Sequence, residues 1–324
     1  MTGFLLRRLV ASLLLVVVVL TLTFFLIHLA PGDPSNLLLD PRVSRQHQEA
    51  LSRLYGLDRP LLVQYGSWLR ASLLEGNWGV SFVHRRPVTA VIADHLPQTL
   101  LLSATALVIQ FGVGILLGVG AARDAGSRRD HLIRLGALSL YSLPLFWLGL
   151  MALLLLSFIW PIFPSGHMSS VGADQLPAWQ RLLDLLHHLA LPALVLGLAS
   201  AGAITRFTRN SLLEVIDEDF VRTARAKGVD EGRVFWSHAL RNSLAPIIQL
   251  LGLSLPFLLS GSLVTEVVFS WPGLGRLTYD SILSRDYPVI LASTALAATL
   301  VVAGSFLADL LHAAADPRVR TWAR

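Results

Sequence analysis

The stretch Leu96–Ala122, LPQTLLLSATALVIQFGVGILLGVGAA, carries no acidic or basic side chain. A helix crosses the bilayer core with about 20 mostly apolar residues, so this run is long enough to span. Working outward, five further windows share the property: Leu9–Ala30 (apart from His28), Leu135–Pro164, Leu189–Thr205, Asn242–Thr265 and Tyr287–Ala308. An arginine at a helix centre costs roughly 2.5–3.5 kcal/mol on insertion. Six charge-free windows in a chain with 26 Lys and Arg are therefore selected, and they predict an all-α polytopic membrane protein with six transmembrane helices. Composition agrees. Of 324 residues 54% are hydrophobic and 15% charged, with a mean hydropathy of +0.62, where soluble domains carry about 25% charged residues. That balance excludes a soluble multidomain protein, and it excludes disorder, which needs low hydrophobicity and high charge. Cysteine is absent, which removes disulfides, thiolate metal sites and cysteine nucleophiles. The first window exceeds the apolar core of a cleaved signal and runs into Pro31-Gly32-Asp33-Pro34, so a retained helix is expected.

Charge placement predicts orientation. Sixteen Lys and Arg fall on the side that holds both termini: the N-terminal Arg7 and Arg8, the loop after the second span, the loop after the fourth, and the tail. The first loop is too long to count, and the other side then holds three: Arg181, Arg276 and Arg285. Both termini are expected in the cytoplasm. The net charge of +5 is thereby a topology signal, and with no basic patch interleaved with aromatics, nucleic acid is not an expected partner.

Two polar segments interrupt the apolar pattern. In the first, Pro31–His95, Ser44 can cap a short helix that ends at Gly56, and Asp58 a second with Pro60 in its first turn. Leu62, Tyr65, Leu69 and Leu73 fall on one face of that second helix, and Glu75-Gly76-Asn77 reads as a turn. The expectation is an amphipathic cap at the membrane surface. In the second, Arg206–Arg241, acidic Glu214, Asp217, Glu218 and Asp219 precede basic Arg222, Arg225 and Lys227, with Gly228 after them. Acid first, base last and glycine beyond match a helix dipole and its stop. Leu212, Ile216, Phe220 and Ala224 repeat every fourth residue as one apolar stripe, and Asp230 can cap a further helix to His238. Such a helix suits either docking in a groove of a partner or resting on the bilayer surface, and pattern alone does not choose.

No chemistry emerges. There is no G-x-x-x-x-G-K-[ST], H-E-x-x-H or G-x-S-x-G; Gly273-Leu274-Gly275-Arg276 lacks the length and lysine of a phosphate loop. His187 and His188, as helix neighbours, do not share a face for a metal. No carboxylate lies mid-span; Glu266 and Asp309 sit at span edges, which disfavours a proton relay. Small residues and prolines do recur in the spans, among them Gly112, Gly114, Gly118, Gly120, Pro144, Gly149, Gly252, Pro256 and Gly261. They read equally as a pathway, a subunit interface or tight packing.

Arg222-Thr223-Ala224-Arg225-Ala226-Lys227-Gly228, followed by His238-Ala239-Leu240-Arg241-Asn242 and Pro246, resembles the cytoplasmic signature of ABC-importer permeases of the dipeptide, oligopeptide and nickel group. General importers carry E-A-A-x-x-x-G there, and Arg-Thr-Ala is the variant usual in the peptide group. Leu6-Arg7-Arg8-Leu9, His28-Leu29-Ala30-Pro31-Gly32-Asp33-Pro34, Leu54–Pro60 (LYGLDRP, with Asp58 and Arg59) and Val63-Gln64-Tyr65 are similar to the same group. So are Ser270-Trp271-Pro272-Gly273-Leu274-Gly275-Arg276, Arg285-Asp286-Tyr287-Pro288-Val289 and Asp316-Pro317-Arg318-Val319-Arg320.

The resemblance implies a type I importer transmembrane domain that is not itself an enzyme. It implies a B-type permease paired with a second, homologous permease, two cytoplasmic ATPase subunits that hold ATP-Mg, and an extracytoplasmic solute-binding protein. No cofactor or metal is implied on the chain itself. Residues 1–30 would be the N-terminal segment and first span, 31–95 an external scoop, and 96–324 the core, with 206–241 as coupling segment. Phe220, Arg222–Gly228, His238, Arg241 and Asn242 would engage an ATPase. Asp33, Asp58, Arg59, Trp271, Pro272, Gly273, Arg276 and Asp286 would serve the external face or gate. Di- or oligopeptides are the implied cargo, with nickel or a metal chelate the alternative; a stand-alone channel or secondary carrier is the reading from another class.

Overall fold

The structure is a computed structural model that describes residues 2–29, 59–244, 246, 247, 250, 251, 254 and 263–315. The described residues form α1 (Thr2–Leu29), α2 (Leu61–Leu74), α3 (Val88–Arg123), α4 (Arg128–Ser142), α5 (Leu145–Leu153), α6 (Ala178–Ile216), α7 (Asp219–Ala226), α8 (Leu263–Val268), α9 (Leu274–Leu283) and α10 (Tyr287–Ala315). Proline sets four of the starts. Pro60, Pro87, Pro144 and Pro177 each occupy the N-cap of the helix that follows, with ψ between 133° and 150°. A missing N–H costs nothing where the helix has no acceptor to offer it.

Among the described residues four helices are long and apolar enough to cross a membrane: Val10–Leu29, Val88–Arg123, Ala178–Ile216 and Tyr287–Phe306. A fifth span exists if α4 and the helix Leu145–Ile159 are one, but their axes differ by 100°. The span expected over Leu135–Pro164, with Pro144 as a helix breaker inside it, is thus a broken one. Leu143 ahead of Pro144 is forced into extended backbone (φ −81°, ψ 140°), because the proline ring clashes with a helical predecessor. A π-helical stretch, Leu154–Ile159, closes the second piece. The expected span Asn242–Thr265 falls largely outside the described residues, as do Ser44, Gly56, Asp58, Asp33, Gly252, Pro256 and Gly261.

The long helices α3 and α6 share the largest interface, with α4 packed on α6 and α10 on α1. Small residues make the α3–α6 approach possible. A Cβ on Gly114 would lie 2.6 Å from Ile204, one on Gly118 2.6 Å from Thr208, and one on Gly197 2.8 Å from the Ala106 carbonyl. These glycines are packing residues within one chain; Gly112 faces open space.

The cap helix α2 lies against α1. Tyr65 hydrogen-bonds Thr21 at 2.7 Å, and the Phe24 ring meets Tyr65 and stacks on Trp68. Its inward face therefore carries Tyr65, Trp68, Leu69 and Ser72. The expected Leu62–Leu73 stripe is only half right: Leu62 is 74% and Leu73 49% exposed. Pro60 rather than Asp58 occupies the cap position.

Candidate functional site

Two clusters sit near opposite ends of α3, roughly 35 Å apart along its axis at 1.5 Å per residue. One surrounds Thr99, the other Ala122.

At the Ala122 end, α6 stops at Ile216 and α7 begins at Asp219. The break resets the helical phase. The single stripe expected over Leu212, Ile216, Phe220 and Ala224 does not form: Val221 and Ala224 turn inward, and Phe220 turns out at 43% exposure. Val221 and Ala224 pack with Val234 and Val229. The helix stops as the sequence suggests. Gly228 adopts φ +77°, its N–H donates to the Arg225 carbonyl (2.9 Å), and the Val229 N–H donates to the Ala224 carbonyl (3.3 Å). That pair of bonds is the Schellman arrangement, which needs a residue at ease with positive φ. Asp230 then accepts from the N–H groups of Gly232 and Arg233, starting a turn (Glu231–Arg233) that leads into a π-helical stretch, Val234–Ala239.

The next layer carries α7 onto the long helices. Arg225 Nε donates to Glu231 at 2.8 Å, tying α7 to that turn. Phe235 and Leu240 pack against Val119, Ala122 and Leu212, that is, against α3 and α6. Close-packed apolar contacts thus connect α7, through the Val234–Leu240 segment, to both helices. Facing outward are Phe220, Arg222, Thr223, Arg225, Ala226, Lys227 and Gly228, with Arg241 and Asn242 nearby; His238 is half-buried and its carbonyl accepts from Asn242. Beside this cluster, Arg209 of α6 makes two 2.7 Å bonds to Asp130 of α4, which also accepts from the Gly126 N–H at 2.9 Å. Neither residue of that pair was singled out by the sequence, where Arg209 counted only as a topology charge.

At the Thr99 end, the loop between α8 and α9 folds over α3. Glu266 and Trp271 are fully buried. Glu266 accepts from Thr99 Oγ1 (2.7 Å) and from the Arg276 N–H (3.0 Å), while Thr99 accepts from the Leu274 N–H (2.7 Å). Trp271 Nε1 donates to the Gln98 carbonyl, and the Arg276 guanidinium to the Ser270 carbonyl. Glycine is required at 273, where a Cβ would lie 2.5 Å from both the Glu266 carboxylate and the Thr99 hydroxyl. Pro272 lines a neighbouring cavity of about 290 Å³ with Gly273 and Arg276. Asp286, also fully buried, accepts from Ser81 Oγ and from the N–H groups of Phe82 and Val83, at 3.1 and 3.2 Å.

Trp271, Pro272, Gly273 and Arg276 are thus gathered at one place, with Asp286 in a second clamp on the same side. Arg59 is exposed, and Asp33 and Asp58 lie outside the described residues. Glu266 and Thr99 form the centre of the loop's anchorage, although their 167-residue separation leaves no local pattern. Among the described residues no group of three or more His, Asp or Glu converges on a possible metal.

Residues 114–321 match the family described as binding-protein-dependent transport system inner membrane component, and residues 1–103 match its N-terminal counterpart. The oligopeptide transport system permease protein AppB of Bacillus subtilis (strain 168) is 40% identical over 98% of this chain and 99% of its own length. The di/tripeptide permease DppB of Pseudomonas aeruginosa (strain UCBPP-PA14) is 40% identical over 99% of both chains. The glutathione permease GsiC of Salmonella typhimurium (strain LT2) is 38% identical over 99% of both. The fold is similar to a solved inward-facing structure of the MetNI methionine ABC transporter, with a TM-score of 0.51, 20% identity, and coverage of 72% of this chain and 96% of that one.

Proposed function

The chain belongs to the binding-protein-dependent transport system inner membrane component family, and from that premise we propose that it forms half of the translocation pathway of an ATP-driven importer of di- or oligopeptides. A second, homologous permease supplies the other half. Two cytoplasmic ATPase subunits bind ATP-Mg, and an extracytoplasmic solute-binding protein delivers the cargo. The chain itself is a multi-pass inner-membrane subunit without catalytic residues, and its termini and α7 face the cytoplasm, as sixteen basic residues against three indicate.

The observation that carries this reading is α7. One face is fixed to α3 and α6 through Val221, Ala224, Phe235 and Leu240, while the other presents Phe220 among polar and basic side chains. A helix resting on the bilayer would turn several large apolar residues outward; this one turns out a single aromatic ring, which suits a pocket in a protein partner. When the ATPases close on ATP, the docked α7 moves with them and rocks α3 and α6. At the other end, the loop over Thr99 and the turn clamped by Asp286 make a rigid external rim on which the binding protein can rest.

The peptide assignment draws on the relatives, whose names cite oligopeptides, di/tripeptides and glutathione. A strain lacking this chain tests it. Uptake of radiolabelled dipeptides and oligopeptides should fall to background while nickel-dependent hydrogenase or urease activity persists; the reverse pattern would overturn the cargo assignment.

A further inference from the structure

A cavity of about 430 Å³ opens between α4 and α6 at the α7 end of the molecule, lined by His131, Arg134, Leu135, Leu138, Tyr141 and Arg206 among others. The two helices run antiparallel here: Asp130 is tied to Arg209, and Ala137 seats against Gly202, where any Cβ would strike the Ala137 carbonyl. Arg134 is the last charged residue before the charge-free run that starts at Leu135, and Arg206 is the first after the run that ends at Thr205. Both arginines therefore stand at the boundary between hydrocarbon and headgroups, on two helices, facing one cavity. Leu138 and Tyr141 line it deeper, by about 5 and 9 Å past Leu135 at the helical rise.

Among the described residues the apolar wall on α4 is left uncovered. Leu135, Leu138 and Tyr141 are 61%, 53% and 55% exposed. Among the described residues Arg134 and Arg206 make no ion pair within 4 Å; Asp130, which also feels Arg134 at longer range, is paired directly with Arg209. The cavity is thus cationic at headgroup depth and apolar below it.

We infer that this cavity is a binding site for an anionic phospholipid. Its phosphate lies between Arg134 and Arg206, and an acyl chain lies along Leu135, Leu138 and Tyr141. Anionic lipids are drawn to basic residues at the membrane surface, and two arginines converging on one groove give the attraction a defined place. A zwitterionic lipid carries the same phosphate but also its own cation, so it gains less from the two arginines.

The test uses the complete transporter, purified with its partner subunits and equilibrated with vesicles of phosphatidylcholine containing one-fifth phosphatidylglycerol. Native mass spectrometry should show phosphatidylglycerol retained over phosphatidylcholine. The Arg134→Gln/Arg206→Gln pair should lower that retention about thirtyfold, and the Arg134→Lys/Arg206→Lys pair should restore most of it. Leu138→Trp, which fills the apolar end and touches neither charge, should also reduce retention. Equal retention by wild type and the glutamine pair would overturn the inference. Two further outcomes would do the same: displacement of the lipid by inorganic phosphate, which would mean a bare anion site, and labelling of Leu138 by a photoreactive peptide substrate, which would place the cavity in the transport pathway.

Discussion

The Thr99 end and the α7 end differ in how completely the chain satisfies them. Around Thr99 the groups close on one another: Glu266, Thr99, the Leu274 and Arg276 amides, the Gln98 carbonyl and Trp271 form a buried network inside the chain, with the Gln98 side-chain Oε1 left without a partner among the described residues. At α7 only one face is finished. Val221 is fully buried while its neighbour Phe220 is 43% exposed. A region that is complete by itself reports stability, and a region finished on one side reports a partner. Mutations at the first should lower stability; at the second, coupling to transport should fall without comparable loss of stability.

The largest stability cost is expected from Glu266→Ala. It strips the Thr99 hydroxyl and the Arg276 amide of their acceptor at a buried site. At about 1–3 kcal/mol for each of the two buried groups left unpaired, the loss is about 2–6 kcal/mol. Thermal unfolding of the purified transporter measures it, and an unchanged midpoint would dissolve the distinction between the two ends.

Gly228→Pro comes next and tests the distinction from the other side. Proline cannot adopt φ +77° and has no N–H to donate to Arg225, so the stop of α7 fails. The damage is local. Peptide uptake should fall to background while membrane insertion, followed by protease accessibility, is retained; Ala224→Glu, which forces a charge between Val221 and Val234, should behave alike. Normal uptake by either variant would refute the coupling role of α7.

Gly273→Ala ranks third. The added methyl meets the Glu266 carboxylate and the Thr99 hydroxyl, and overpacking of this kind costs about 1–3 kcal/mol. It should lower the unfolding midpoint by less than Glu266→Ala does. If it lowered uptake with no shift in midpoint, the loop over Thr99 would be a moving gate instead of a fixed rim.

How far each end could be foreseen follows from the range of the forces that build it. Charge-free runs mark the long helices because insertion penalises each charge locally, and Gly228 and Asp230 mark a stop and a start because caps act within a few residues. Pro144 is legible as a helix breaker inside its span, but the 100° turn there is not, since hydropathy does not register backbone geometry. The inward face of α7 escaped too: a two-residue interruption between Ile216 and Asp219 shifts the phase, which exchanges Phe220 for Val221. The Glu266–Thr99 bond joins residues 167 positions apart, and the Arg209–Asp130 bond joins residues 79 apart. Pairings at that range are decided by packing, which no window of sequence contains.

Phe220→Ala should cost least in stability and separates the two ends most sharply. The ring is exposed and outside the Val221–Ala224–Val234 cluster, so its removal should change folding by no more than about 0.5 kcal/mol. Yet a lone aromatic ring on a polar helix face is the kind of anchor that carries more than about 2 kcal/mol of an interface. ATPase subunits should therefore co-purify with the variant at least tenfold more weakly, and cargo-stimulated ATP turnover should drop in proportion, with the unfolding midpoint unmoved. Phe220→Leu, which keeps apolar volume without the ring, should fall between. Should Phe220→Ala lower stability and leave ATPase retention intact, the outward ring would be a folding element and α7 would be as closed as the Thr99 end.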